Sequence, residues 1–163
     1  EPTILGNTKL LKNGIANISL MGRYQKISLD PEIIIDVAHN ADSAEKLSDN
    51  LNKEDKKNTI AVIGVLKDKD VYSLIKPMIN NIDKWYCGTI NSDRGMNSDE
   101  IKTRMSSTIS KKNIETFDSI DKACSQAMAS LGKNDRLIVY GSFYTVSEFL
   151  DYYELISKRK DII

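Results

Sequence analysis

The chain has a single histidine, His39, which follows Asp36 in the stretch Ile33-Ile34-Ile35-Asp36-Val37-Ala38-His39-Asn40. An imidazole takes or gives a proton near neutral pH, and a carboxylate accepts hydrogen bonds from hydroxyl, amide or guanidinium donors. Three other stretches carry comparable chemistry: Lys67-Asp68-Lys69, Asp93-Arg94 and Ser142-Phe143-Tyr144. Cations, a carboxylate, an imidazole and a hydroxyl beside helix N-termini would suit an anionic ligand. Each stretch also has a plain structural reading. Asp36 suits a helix cap and His39 a hydrogen-bonded loop. Lys67 and Lys69 alternate with Asp68 and Asp70, as on a solvated face. Arg94-Gly95 reads as a turn and Ser142 as an N-cap. Asp36, His39 and Ser142 share the composition of a hydrolase triad, but Gly141-Ser142-Phe143-Tyr144 lacks the second glycine of a nucleophile elbow. Neither Gly-x4-Gly-Lys-Ser/Thr nor Gly-x-Gly-x-x-Gly occurs, so the usual loop for gripping nucleotide phosphates is missing.

The elements around these stretches decide whether they meet. Leu10, Leu11, Ile15 and Ile18 recur at helical spacing and predict a short helix over about 7–18. Gly14 weakens it by ~1 kcal/mol relative to alanine. Met21-Gly22-Arg23 breaks it. Arg23 to Leu29 reads as a strand, turned at Asp30-Pro31 into Ile33–Asp36, which predicts an antiparallel hairpin. A run of isoleucines marks a strand buried on both faces. Helix follows over 42–51 with Ala44, Leu47 and Leu51 on one face, then a polar loop from Lys53 to Asn58 and a strand from Thr59 to Val65.

Val71, Leu74, Ile75, Met78, Ile79 and Ile82 fit one long helical stripe, with Pro77 kinking or ending it. Trp85 to Ile90 is a strand. Ser98 caps a helix through Ile101, Met105 and Ile109. Ile114 to Phe117 is a strand, and Ser119 caps a helix that Gly132 closes at C′. Leu137 to Tyr140 is the last strand. Val146, Phe149, Leu150 and Tyr153 face inward on the last helix, and Lys158–Asp161 frays. This alternation predicts an α/β, Rossmann-like, mostly parallel sheet of about six strands, with helices on both faces and one antiparallel edge strand. In such a sheet every strand-to-helix loop opens on one edge, which would bring the four polar stretches together.

Composition narrows the function. At 163 residues the chain forms one domain, and 23 basic against 23 acidic residues leave no global field for nucleic acid. The clusters Lys53–Lys57 and Lys158-Arg159-Lys160 read as solvated loop and tail. Cys87 and Cys124 form neither a CxxC pair nor a zinc spacing; they read as core thiols in a reducing compartment. No metal site is predicted. No apolar run reaches membrane-spanning length and no signal peptide is present, so a soluble cytoplasmic protein without membrane partners is expected. The chain opens at Glu1-Pro2 without an initiator methionine, which predicts a domain of a longer protein.

Six stretches in order carry a resemblance: Gly22-Arg23-Tyr24-Gln25, Ile35–Asn40, Gly64-Val65-Leu66-Lys67-Asp68-Lys69-Asp70, Trp85-Tyr86, Arg94-Gly95 and Gly141–Val146. Over about residues 7–156 the chain resembles the C-terminal domain of folylpolyglutamate synthase/dihydrofolate synthase, within the Mur ligase superfamily. The resemblance implies part of an ATP-dependent amide ligase. ATP phosphorylates the carboxylate of dihydropteroate or of a folate's terminal glutamate, and the amine of incoming L-glutamate attacks the acyl phosphate. It also implies ATP and Mg2+ as cofactors, held mainly by an N-terminal P-loop domain that these 163 residues do not include. That domain is the implied partner, and this one is a lid contacting ATP and glutamate.

Residue by residue, Arg23 matches an arginine that contacts the ATP phosphates and can steady charge on the transferring phosphoryl group. Asp36 matches the acid that accepts from the ribose hydroxyls. His39, Ser142 and Tyr144 match positions of the glutamate site. Lys69 resembles the lysine that pairs with a glutamate carboxylate, so Arg23, His39 and Lys69 are the implied catalytic set. Met21 stands where the family usually has proline. Two other readings remain open here: a stand-alone, non-catalytic Rossmann-like module for a small anion or a protein partner, and the C-terminal domain of a peptidoglycan Mur ligase.

Overall fold

The computed structural model describes the backbone of residues 22–160 and the side chains of residues 22–158. The helix expected over 7–18 and the Met21 departure lie outside the described residues. Six strands form one sheet: β1 (Gln25–Leu29), β2 (Glu32–Ile35), β3 (Thr59–Ile63), β4 (Lys84–Gly88), β5 (Ile114–Phe117) and β6 (Arg136–Tyr140). Their order is β1-β2-β6-β3-β4-β5. Only β1 runs antiparallel, paired with β2 through the Asp30-Pro31 turn; the other neighbours are parallel. This is the expected α/β architecture.

The isoleucine run shows why. Ile34 points into one apolar cluster and Ile33 and Ile35 into the other, as period-2 alternation requires. Helices α1 (Ala41–Leu51), α2 (Val71–Ile75) and α3 (Ser98–Met105) cover the Ile34 face. Helices α4 (Ile120–Ser130) and α5 (Phe143–Lys160) cover the other through Ala123, Cys124, Val146 and Phe149. Burial pushes the Cys87 thiol up to about 12 and raises that of Cys124 as well, so both are inert core groups.

Several local expectations are corrected. The long stripe from Val71 to Ile82 is not one helix: α2 stops at Ile75, and Lys76–Met78 is a 3-10 turn containing Pro77. Proline lacks the N–H that would extend the helix, and its ring crowds the carbonyl four residues back. Beyond it Ile82 is still buried in the Ile34-side cluster and Ile79 still packs against it, outside any helix. Asn97, not Ser98, caps α3, its side chain accepting from the Asp99 N–H at 2.8 Å. Helix α4 ends at Ser130 and Leu131 after it is extended, so Gly132 does not close the helix in the left-handed region. Helix α5 continues to Lys160 rather than fraying at Lys158. The basic loop is not wholly solvated, because Lys57 Nζ lies 3.1 Å from Glu32. Glu32 and Arg136 are in register on β2 and β6, both buried, and Arg136 Nε donates to Glu32 at 2.6 Å. Lys26 adds a contact at 2.9 Å. This network sits at the edge of the sheet opposite the polar loops.

Candidate functional site

The order β2-β6-β3 decides the site, because the chain reverses its direction of travel across the sheet at β6. Ligands bind at such a switch point, beyond the carboxyl ends of the strands. The loops after β2, β3, β4 and β6 meet there and line two adjoining depressions.

The smaller, of about 240 Å3, is lined by His39, Leu66, Lys69, Arg94, Gly141, Ser142, Phe143 and Tyr144. Every polar loop singled out in the sequence contributes to it. Lys69 Nζ lies 3.1 Å from Asp68 Oδ2, and Arg94 lies 3.4 Å from Asp68 Oδ1, so one carboxylate holds two cations side by side. The Lys67 N–H donates to Arg94 O at 2.9 Å and Lys67 Nζ to Asp93 O at 2.9 Å. Lys67 therefore ties the two loops together and lines neither depression. Gly95 forms part of a turn, as expected, and is required there: an added Cβ would fall 1.9 Å from the Ile90 carbonyl oxygen. Gly141 adopts φ +112, and an added Cβ would meet the Gly64 carbonyl oxygen at 2.5 Å. Only glycine allows β6 to turn this tightly into α5.

The larger depression, of about 470 Å3, includes Arg23, Tyr24, Asp36, Asn40, Asp42 and Lys46 in its lining. Asp36 does not cap α1. Its Oδ1 accepts from the Ala38 N–H at 2.7 Å and its Oδ2 from the Tyr24 N–H at 2.9 Å. Tyr24 is held at φ 41, in the left-handed region, directly beside Arg23. Burial raises the Asp36 pKa, against the lowering by the two backbone donors and by Arg23. Each carboxylate oxygen keeps a second lone pair for a ligand hydroxyl. The cap is Asn40, in a capping box with Ser43: Ser43 N–H donates to Asn40 Oδ1 at 2.9 Å and Asn40 N–H to Ser43 Oγ at 3.2 Å. The pattern Asn40-x-x-Ser43 could have shown this from the sequence.

His39 and Phe143 line both depressions and stand between them, with ring centroids 5.9 Å apart. His39 Nδ1 lies 2.9 Å from the Val37 carbonyl oxygen. A carbonyl accepts only, so Nδ1 carries a proton, and in the neutral ring Nε2 is left as an acceptor. Sequence reasoning assigned no role to Phe143, which is 63% exposed despite being apolar, or to Lys46 on α1; both line the larger depression. The structure thus places Arg23 and Asp36 on one side, Lys69, Ser142 and Tyr144 on the other, and His39 at the junction. Among the described residues, no group of three or more His, Cys, Asp or Glu side chains could hold a metal ion.

Comparison with known proteins adds four findings. The sequence model of the family described as Mur ligase, glutamate ligase domain, matches residues 22–143. The dihydrofolate synthase/folylpolyglutamate synthase of Buchnera aphidicola subsp. Acyrthosiphon pisum is 38% identical over 143 residues, covering 87% of this chain and 34% of that protein. The solved structure of Escherichia coli FolC in complex with DHPP and ADP superposes with a TM-score of 0.80 at 33% identity, over 92% of this chain and 34% of that one. A bifunctional folylpolyglutamate synthase/dihydrofolate synthase with Mn, AMPPNP and L-glutamate bound gives a TM-score of 0.76 at 32% identity, over 83% of this chain and 32% of that one. The chain spans about a third of the length of the curated relatives it matches.

Proposed function

Because the chain belongs to the family of Mur ligase glutamate ligase domains, we propose that it is the C-terminal domain of an ATP-dependent folylpolyglutamate synthase/dihydrofolate synthase. The whole enzyme adds L-glutamate to dihydropteroate or to folate polyglutamate through an acyl phosphate. The observation that carries this reading is the division of the switch-point edge into two differently equipped depressions that share His39. One has Arg23, Lys46 and a buried carboxylate, a set that fits phosphate oxygens and ribose hydroxyls. The other has Lys69 and Arg94, two cations that fit the carboxylates of an amino acid, and hydroxyls alongside them.

Each side chain then has a defined task. Arg23 contacts the ATP phosphates and offsets charge as the phosphoryl group transfers. Asp36 receives the ribose hydroxyls while holding the Tyr24 backbone, and so keeps Arg23 in place. Lys69 pairs with a glutamate carboxylate. Ser142 and Tyr144 complete the amino-acid side. His39, clamped through Nδ1, offers Nε2 as an acceptor between nucleotide and amino acid, where an attacking amine must lose a proton. The divalent ion, which neutralises phosphate charge when bound, is assigned to the N-terminal P-loop domain. That domain is the chain's working partner, and the enzyme acts in the cytoplasm on folate or dihydropteroate, ATP and L-glutamate. No helix among the described residues is long and apolar enough to cross a membrane.

The test separates the two sides in the full-length ligase carrying this domain. Arg23→Ala is expected to raise the ATP KM or lower kcat about tenfold or more with little change in glutamate KM, and Lys69→Met to do the reverse. The 163-residue chain alone is expected to ligate no glutamate, and activity should require the P-loop domain. Turnover by the isolated chain, or ATP kinetics untouched by Arg23→Ala, would overturn the assignment.

A further inference from the structure

Ser142 lines the smaller depression, and its neighbours decide where its proton points. Thr145 Oγ1 lies 3.0 Å from the Gly64 carbonyl oxygen. A carbonyl only accepts, so the one Thr145 hydroxyl proton is committed to it. Ser142 Oγ lies 2.8 Å from Thr145 Oγ1, and with the threonine proton placed elsewhere, that bond is donated by Ser142. The Thr145 backbone N–H donates in turn to Ser142 Oγ at 3.0 Å. The serine proton and one of its two lone pairs are therefore used inside the protein. Ser142 is 2% exposed and Thr145 0%, so water does not compete, and reversing the chain would strand a buried carbonyl.

We propose that Thr145 is a positioning residue that sets Ser142 as an acceptor, so that Ser142 recognises the amino group of the incoming amino acid and not its carboxylates. The inference rests on the ligase reading above. The rest of the depression is sorted in the same way. Lys69 and Arg94 are donors suited to carboxylates, while His39, which lines the same depression as Ser142, offers Nε2 as a second acceptor. An amino acid then has one orientation in which every charge meets its complement, with the nucleophilic nitrogen on the acceptor side. A serine free to donate would also welcome a carboxylate and would blur that orientation.

The experiment uses the full-length ligase with L-glutamate as substrate and glutarate as competitive inhibitor. Glutarate keeps both carboxylates and lacks the amine. Ser142→Ala is expected to raise the glutamate KM about tenfold or more, the worth of one hydrogen bond to a charged group, and to change glutarate inhibition less than about twofold. Thr145→Val keeps the shape and removes the hydroxyl; it should reduce the preference for glutamate over glutarate, and Thr145→Ser should keep it. The ATP KM should stay constant throughout. Equal weakening of glutamate and glutarate by Ser142→Ala would mean that the serine serves a carboxylate, and would overturn the proposal. So would an unchanged preference in a folded Thr145→Val enzyme. If that variant does not fold, the Ser142→Ala comparison still decides. An unsubstituted enzyme that ligates no glutamate overturns the ligase reading itself, before any variant is compared.

Discussion

Replacing Asp36 tests the link between fold and nucleotide side most directly. Its two oxygens hold the Ala38 N–H at 2.7 Å and the Tyr24 N–H at 2.9 Å, in a residue only 9% exposed. Hydrogen bonds to a charged group are worth ~1.5–3 kcal/mol each, and an orphaned buried N–H retains its desolvation cost. Tyr24, at φ 41, also sits in a region that costs a non-glycine residue ~1–2 kcal/mol, which the Asp36 bond offsets. Against this, burial opposes the charge on Asp36, as its raised pKa shows, and any neutral replacement escapes that penalty. Asp36→Ala should therefore cost roughly 3–5 kcal/mol out of a typical 5–15. Asp36→Asn keeps one acceptor and turns its NH2 toward the other donor, so it should cost roughly 1–3 kcal/mol. Urea titration of the domain reads these values. In the full-length ligase, Asp36→Asn should raise the ATP KM about tenfold, because Tyr24 and with it Arg23 lose their anchor, and leave the glutamate KM within about twofold. An Asp36→Ala domain within about 1 kcal/mol of the parent, or a loss falling on glutamate instead, would refute the reasoning.

Other outcomes follow from the same geometry. Burial alone would raise the Glu32 pKa, but hydrogen bonds from Lys26, Arg136 and Lys57 outweigh it and bring the carboxyl to about 2. Its contribution, roughly 3 kcal/mol, is present above the ordinary carboxylate range and is lost as pH falls through about 2. Glu32→Gln should remove that stability at neutral pH, and chemical denaturation should show the gap to the parent closing in strong acid. Asp36 acts in the opposite sense: with its folded pKa raised, the proton-linked part of its contribution is fully present at pH below the ordinary carboxylate value of 3.8 and is lost as pH rises through the folded value, while the two backbone hydrogen bonds remain. The pH dependence of stability in Asp36→Asn checks that sign. Gly141→Ala should cost ~2–4 kcal/mol and raise the glutamate KM, since φ +112 and a 2.5 Å clash with the Gly64 oxygen must be relieved by moving Ser142. Thermal unfolding and glutamate kinetics read the two effects.

The sequence by itself determined the layers of this protein and the edge at which its chemistry collects. Ile33–Ile35, the stripe Ala44-Leu47-Leu51 and the alternation of strand and helix are local patterns with fixed periods, and the isoleucine strand emerged buried on both faces. The polar loops at strand ends were legible for the same reason, because parallel strands leave their connections no other edge. Pro77 showed the limit: Ile79 and Ile82 kept the helical spacing after the helix had ended, since apolar spacing records burial and not hydrogen bonding. What only the tertiary structure decided was which groups face one another across long separations. Glu32 and Arg136 become a buried pair because β2 and β6 are neighbours in register, an arrangement no local pattern records. Ser142 becomes an acceptor because Thr145 is committed to Gly64, a carbonyl on another strand's loop. Asp36 and His39 arrive together in the sequence, but strand order places Asp36 beside Arg23 and stations His39 between two depressions. A hydrogen bond's direction depends on every partner its atoms meet, and those partners are chosen by topology.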